Sequence, residues 1–372
     1  MEGEGTGRAA LGRGNRVSVV AGLKNTIIRT GLNSLYFSGT HHALRPFVGG
    51  IGAILTFHHV RPPRPDGFQP NRLLEITPMF FEGLLRRLTR SGIDVISLDE
   101  MHERLIGRQR GRRFVCLTFD DGYRDNLRWA YPLLKQFNLP FAIYIPTSFP
   151  DRLGELWWVA LEKVIAQNKR IGLPINGKDQ FFDCRSTGEK RELFAALYGY
   201  LRSMKTEDEL RKTIRDLAAC HRVDIAALCE ELCMTWEEIG QLAADPLVTI
   251  GAHTVNHVML KKVPNEDTAR AEMEMSRAVI EAAIGVRPGH LSYPVGDKTS
   301  AGTREFNLAS QLGFKTAVTT RPGVLFKAHR DHLMALPRIS VNGDFAQHRY
   351  VKVLLSGAAT AMWNGFRRVN AA

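Results

Sequence analysis

The chain reads as an α/β fold, and two observations predict it. Runs rich in Val, Ile and Phe (93–98, 114–119, 141–145, 247–251 and 315–319) alternate with helical stretches along most of the 372 residues. That is the pattern of parallel strands joined by helices. Two of these runs also end abruptly in chemically useful side chains. Residues 114–119 run into Asp120-Asp121-Gly122, and 247–251 lead into His253-Thr254-Val255-Asn256-His257. Parallel α/β folds collect their functional groups just past the carboxyl ends of strands.

Taken in order, residues 53–60 (A-I-L-T-F-H-H-V) read as an early strand ending in His58 and His59. Residues 78–90 read as a helix, because Phe81, Leu84, Leu85 and Leu88 recur at helical spacing. Between 151 and 234 the pattern changes to helix formers, with helices expected over 155–169, 191–203, 207–221 and 224–234. This stretch reads as a helical insertion. Trp157 and Trp158 within it either stack on a sugar ring or anchor the insertion, and anchoring is the simpler reading. A strand-like run, 336–341, carries Arg338.

Asp-Gly after a strand is by itself an ordinary turn signal, and two histidines at i, i+4 suit a helix start as well as a metal. Together they are more informative. One carboxylate and two imidazoles form the ligand set of a catalytic zinc-like site with a position left for water, and the second carboxylate remains free as a base. The pair points to a metal-dependent hydrolase.

At these residues the sequence resembles the polysaccharide deacetylases with a NodB homology domain. Their motifs T-F-D-D-G and H-[ST]-x-x-H are complete at 118–122 and 253–257. The resemblance covers residues 51–150 and 235–345, and it implies a distorted (β/α) barrel with a divalent metal, most simply zinc, at its mouth. By matched position Asp121, His253 and His257 are the expected metal ligands and Asp120 the general base. The third family motif, R-P-P-Y-G, has its best match in Ser292-Tyr293-Pro294-Val295-Gly296. The Val295 amide would then serve the oxyanion, with Tyr293 and Pro294 beside the substrate. Serine replaces the arginine that braces the base, so Arg338 is either a substitute brace or a surface strand cation. The family's C-terminal histidine motif is absent. A rearranged branch carries the general acid on an early strand instead, which implies His58, with His59 the near alternative. A strand-end histidine packed on its neighbours remains the plain reading, and His329 and His332 are weaker candidates.

The implied reaction is deacetylation of an N-acetylated glycan: metal-bound water as nucleophile, an Asp base and a His acid. Deformylation of a lipid-linked amino sugar, or a degenerate glycan-binding site, are the alternatives. The expected domains are an N-terminal extension (1–50) with an amphipathic helix, the barrel (51–150 and 235–345), the insertion (151–234) and a helical tail (346–372).

Apolar content of 44% indicates a globular protein, and a formal charge of +12 favours anionic partners such as an acidic or lipid-linked glycan. No nucleic-acid module is visible, and 108–113 (R-Q-R-G-R-R) reads as a solvated turn. Five unpatterned cysteines suggest reduced thiols, hence the cytoplasm, over a zinc module built from Cys220, His221, Cys229 and Cys233. The start lacks the order of a secretory signal, and the longest uncharged stretches (46–57 and 353–366) fall short of the ~20 residues of a membrane span. The helical pattern of 17–37 fits either a membrane surface or, preferably, packing on the barrel. Residues 350–366 pose the same choice.

Overall fold

A computed structural model of the chain describes residues 12–109, 111–175 and 178–371. The first eleven residues of the expected extension, and Arg110 of the basic turn, lie outside the described residues. Seven parallel strands close into a ring: β1 Gly52–Phe57, β2 Phe114–Phe119, β3 Phe141–Ile145, β4 Val248–Ala252, β5 His290–Ser292, β6 Thr316–Pro322 and β7 Leu336–Ser340. Each pairs with its successor, and β1 closes the circle on β7 through Leu55 beside Ile339. The run 93–98 yields only the two-residue strand Asp94–Val95, paired to the foot of β2.

Side-chain alternation sorts the strands into two sets. Ala53, Leu55, Phe57, Val115, Leu117, Phe119, Ile143 and Ile339 face out and pack against the surrounding helices. Ile54, Cys116, Ala142, Tyr144, Val318 and Leu336 meet one another inside the barrel. The inward register continues upward through Thr56 and Thr118 to Asp120. Gly251 also belongs to it: a Cβ there would lie 2.4 Å from the Tyr144 ring, so the ring's volume requires glycine.

Three helices flank β1 in sequence: α1 (Gly12–Phe37) and α2 (Thr40–Val48) precede it, and α3 (Pro78–Arg90) follows it. Helix α3 begins where the Thr77 hydroxyl accepts from the Phe80 amide, with Pro78 preset for the first turn. It buries Phe81, Leu84, Leu85 and Leu88. Helix α1 lays Leu32 against Tyr350 and Val353 of the helix His348–Leu355, while Leu23 and Ile27 are exposed. No described helix is long and apolar enough to cross a membrane.

Between β3 and β4 lie helices Trp157–Gln167, Thr187–Ser203, Glu207–Cys220 and Ile225–Leu232, near the expected bounds. The segment is not purely helical. Strands Arg170–Ile175 and Lys178–Asp183 pair antiparallel within it. The signal for them was the Asn176-Gly177 pair between two apolar stretches. This segment has a core of its own, around Leu161, Val164, Leu197, Leu210 and Ile214, which also takes in Tyr123, Phe149 and Met259. Both tryptophans are buried in it.

Candidate metal centre

Past the end of β2 the backbone turns sharply. Asp121 has φ 71° and Gly122 φ 61°. Past β4, Thr254 and His257 have φ 65° and 55°, and past β5 Val295 has φ 62°. Four non-glycine residues in the left-handed region therefore meet at one end of the barrel. Such backbone costs on the order of 1–3 kcal/mol each and persists only where the surroundings impose it.

Those turns bring together Asp121, His253 and His257, all buried, with one candidate ligand atom from each within 4.8 Å of the others. Asp121 Oδ1 stands 3.4 Å from His253 Nε2 and 3.2 Å from His257 Nε2. That oxygen is buried without a hydrogen-bond partner of ordinary geometry, which is costly unless a cation or donor compensates it. His253 Nδ1 lies 2.6 Å from the Ser292 carbonyl, to which it donates. That bond leaves Nε2 with the lone pair, as a metal-binding imidazole requires. The donor set therefore fits a divalent cation. Glu272 fixes the loop between the histidines: its carboxylate accepts from the Val255 and Asn256 amides at 2.9 Å each and from Asn256 Nδ2 at 2.7 Å. No local pattern marked Glu272, a buried residue of helix Glu266–Ile284.

Asp120 lies beside this cluster but is held differently. Arg338, only 1% exposed, grips it with two bonds, Nη1 to Oδ1 and Nη2 to Oδ2, both 2.7 Å. The same guanidinium donates to Ser292 Oγ at 3.0 Å and from Nε to the Thr319 carbonyl at 2.9 Å. The surface-cation reading of Arg338 is thus excluded. The arginine comes from β7, and the serine at 292 leaves room for it and accepts from it. Burial pushes the Asp120 carboxyl up, but the charge and hydrogen bonds of Arg338, together with the nearby His253 and His58, outweigh it and hold the group below the ordinary carboxylate range. Asp120 is ionised at neutral pH.

His58 and His59 separate as strand alternation requires. His59 stacks on Tyr123 with ring centroids 3.6 Å apart and places Nδ1 2.6 Å from Asp125. His58 continues the inward register and senses the charges of Asp121 and Asp120. Burial nevertheless dominates and draws its pKa below the usual value. His329 is not part of the cluster; its Nδ1 accepts from the Phe326 amide. Tyr293 falls in the outward register, packs against Phe306 and donates its hydroxyl to the Met334 carbonyl at 2.9 Å. Its side chain is therefore a core element, and it can contribute only backbone to the site. Pro294 and Val295 follow it, and the Val295 amide makes no hydrogen bond among the described residues. Trp158 packs on His257, ring centroids 5.0 Å apart, and Trp157 packs on Tyr198 at 4.9 Å. Anchoring describes Trp157, whereas Trp158 walls the cluster. The five cysteines are free thiols, and the only metal-competent group among the described residues is the Asp-His-His cluster.

The family model for polysaccharide deacetylase matches residues 187–317, a span that holds both histidines but neither aspartate. YxkH of Bacillus subtilis (strain 168), named as a polysaccharide deacetylase, is 22% identical over 271 residues, 72% of this chain; the match spans 66% of that protein's length. Among solved structures, the deacetylase PplD of Streptococcus pyogenes in complex with acetate superposes with a TM-score of 0.54 at 16% identity, covering 81% of this chain and 97% of that one. A de-N-acetylase from Aggregatibacter actinomycetemcomitans gives 0.52 at 15% identity, covering 81% and 99%. At such identities the structural likeness concerns the fold. Motifs, barrel and family match agree in their likeness to the polysaccharide deacetylases, whose family model this chain matches over residues 187–317.

Proposed function

We propose that the protein is a divalent-metal-dependent hydrolase that removes acetyl groups from N-acetylated sugars of an oligo- or polysaccharide. The observation that carries this reading is the adjacency of two differently held carboxylates: Asp121 facing two imidazoles and Asp120 clamped by Arg338. Asp121, His253 and His257 would hold the ion, and zinc suits an oxygen-nitrogen-nitrogen set. When bound, such an ion supplies a water ionised near neutral pH and polarises the acyl oxygen.

The chain's own groups do the rest. Asp120, kept ionised by Arg338, takes the proton as water attacks the acetyl carbonyl. The unengaged Val295 amide donates to the developing oxyanion. His58 delivers a proton to the departing sugar nitrogen. The names borne by similar proteins, a de-N-acetylase and a deacetylase holding acetate, favour acetyl over formyl. Five free thiols support a reducing compartment, the cytoplasm.

The test is acetate release from N-acetylated oligosaccharides. We expect release from the metal-loaded protein and none from Asp120→Asn with metal content unchanged. Formate release from an N-formyl amino sugar, without acetate, would transfer the reading to deformylation. Glycan binding with no acyl release from any such substrate would reduce the site to recognition.

A further inference from the structure

Away from the metal centre, α2, α3 and the helix His348–Leu355 enclose a cavity of about 740 Å³. Its floor is apolar, formed by Leu84, Leu88, Val351 and Leu355, and its walls are cationic. Arg45, Arg87, Arg113, Arg349 and Lys352 line it, together with His41, His42 and His348, and no carboxylate does. None of these five cations forms an ion pair with a described carboxylate, whereas Arg61, Arg64, Arg104, Arg124, Arg211 and Arg338 each do. Arg113 is occupied by the Gly49 and Leu355 carbonyls at two helix ends. Arg349 lies over the Phe37 ring at 5.5 Å, and Lys352 over Tyr36 at 5.8 Å.

A second observation marks the cavity as a binding site. His41 is 2% exposed, donates from Nδ1 to the Leu35 carbonyl at 2.8 Å, and leaves Nε2 buried without a partner. His42 packs on it with the rings tilted by 40° and centroids 4.0 Å apart. Clustered cations with no counter-charge are the complement of an anion, and His41, whose Nε2 carries a lone pair while the ring is neutral, joins them as a donor once it is protonated. The rim decides which kind. Phe37 follows the lining residue Tyr36, Phe47 follows Pro46 of an adjoining pocket that shares His42, Arg45 and Arg113 with the cavity, and the two rings are 72% and 71% exposed. Apolar side chains beside cations match the boundary between headgroups and acyl chains.

We propose that this end of the molecule docks on an anionic membrane surface, with one lipid phosphate seated in the cavity among Arg45, Arg349, Lys352 and the His41–His42 pair. The proposal stands independently of the acyl-transfer chemistry, since no residue of the metal centre takes part.

The experiment is co-sedimentation of the full chain with phosphatidylcholine vesicles, with and without phosphatidylglycerol. Partition should require phosphatidylglycerol. Arg45→Gln and Lys352→Gln, both at exposed positions, should each lower it roughly fivefold, and Phe47→Ser should lower it as well. Arg287→Gln removes the same unit of charge outside the cavity and should leave partition unchanged. Circular dichroism of each variant separates lost docking from lost folding. Equal partition into both vesicle types, or equal losses from Arg287→Gln and Arg45→Gln, would overturn the proposal. So would thermal stabilisation by inorganic phosphate without any vesicle binding, which would assign the cavity to a soluble phosphate ester.

Discussion

Replacing Arg338 by methionine leaves Asp120 as a buried carboxylate whose two oxygens have both lost their 2.7 Å donors. Only the Thr56 hydroxyl remains, at 3.5 Å. Removing one partner of a buried pair costs about 3–5 kcal/mol, because the remaining charge is stranded. That is a large share of the ~5–15 kcal/mol that stabilises a typical domain. Arg338→Lys keeps the charge but cannot bond both oxygens at once or reach Ser292 and Thr319 in the same pose. Its loss should be smaller, on the order of 2 kcal/mol. Urea unfolding near pH 7 and again near pH 5 measures both. The sign follows from the depressed carboxyl: Asp120 contributes stability above the ordinary carboxylate pKa and loses it as pH falls through its own lower value. With the arginine gone the carboxyl titrates higher, so the methionine variant takes up its proton first and its deficit narrows toward acid. The acid limb of the pH–rate profile should move to higher pH in both variants. A deficit below about 1 kcal/mol at neutral pH, together with an unmoved acid limb, would refute the bracing of Asp120 by Arg338.

Asp121→Ala, His253→Ala and His257→Ala should each lower bound metal by elemental analysis; full occupancy in all three would remove them as ligands. His58→Ala should cut turnover about 10²–10⁴-fold with metal retained, whereas His59→Ala should act chiefly on stability through the lost contact with Asp125. Full activity of the His58 variant would assign the proton to another group. His329 titrates at about 4 because burial disfavours its charged form. As pH falls from ~6.5 to about 4 the unfolded chain takes up a proton that the folded one refuses, so stability drops by up to about 3 kcal/mol. His329→Gln should flatten that part of the stability curve, and an unchanged slope would exclude His329 as its source.

Much of the ring was legible because parallel strands buried on both faces are continuous apolar runs, and the residues just beyond them declared their chemistry by type. What escaped has identifiable physical causes. Arg338 sits in a strand whose first four residues are all buried, so alternation alone could not tell a brace from a surface cation; the contacts across to Asp120 and Ser292 did. Tyr293 was assigned with its neighbours, and its outward register shows only once β5 is paired with β4 and β6. Asp125 and Glu272 act through partners 66 and 16 residues away in sequence, a relation that no local pattern encodes. The hairpin at 170–183 was hidden by its setting among helices, although its Asn-Gly pair was in view.

His257 is where the metal cluster touches the smaller hydrophobic core. Its backbone belongs to the loop after β4, but its ring is walled by Trp158 and, at 5.9 Å, by Phe149, both members of the smaller core. On the proposed function, reactivity and selectivity would then be written into different stretches of chain. The strand ends would supply the ligands and the clamped base, and the segment between β3 and β4 backs His257. Under that reading, exchanging this segment between paralogues would alter substrate preference while leaving Asp120, Asp121 and His253 in place, provided that an aromatic ring still backs His257.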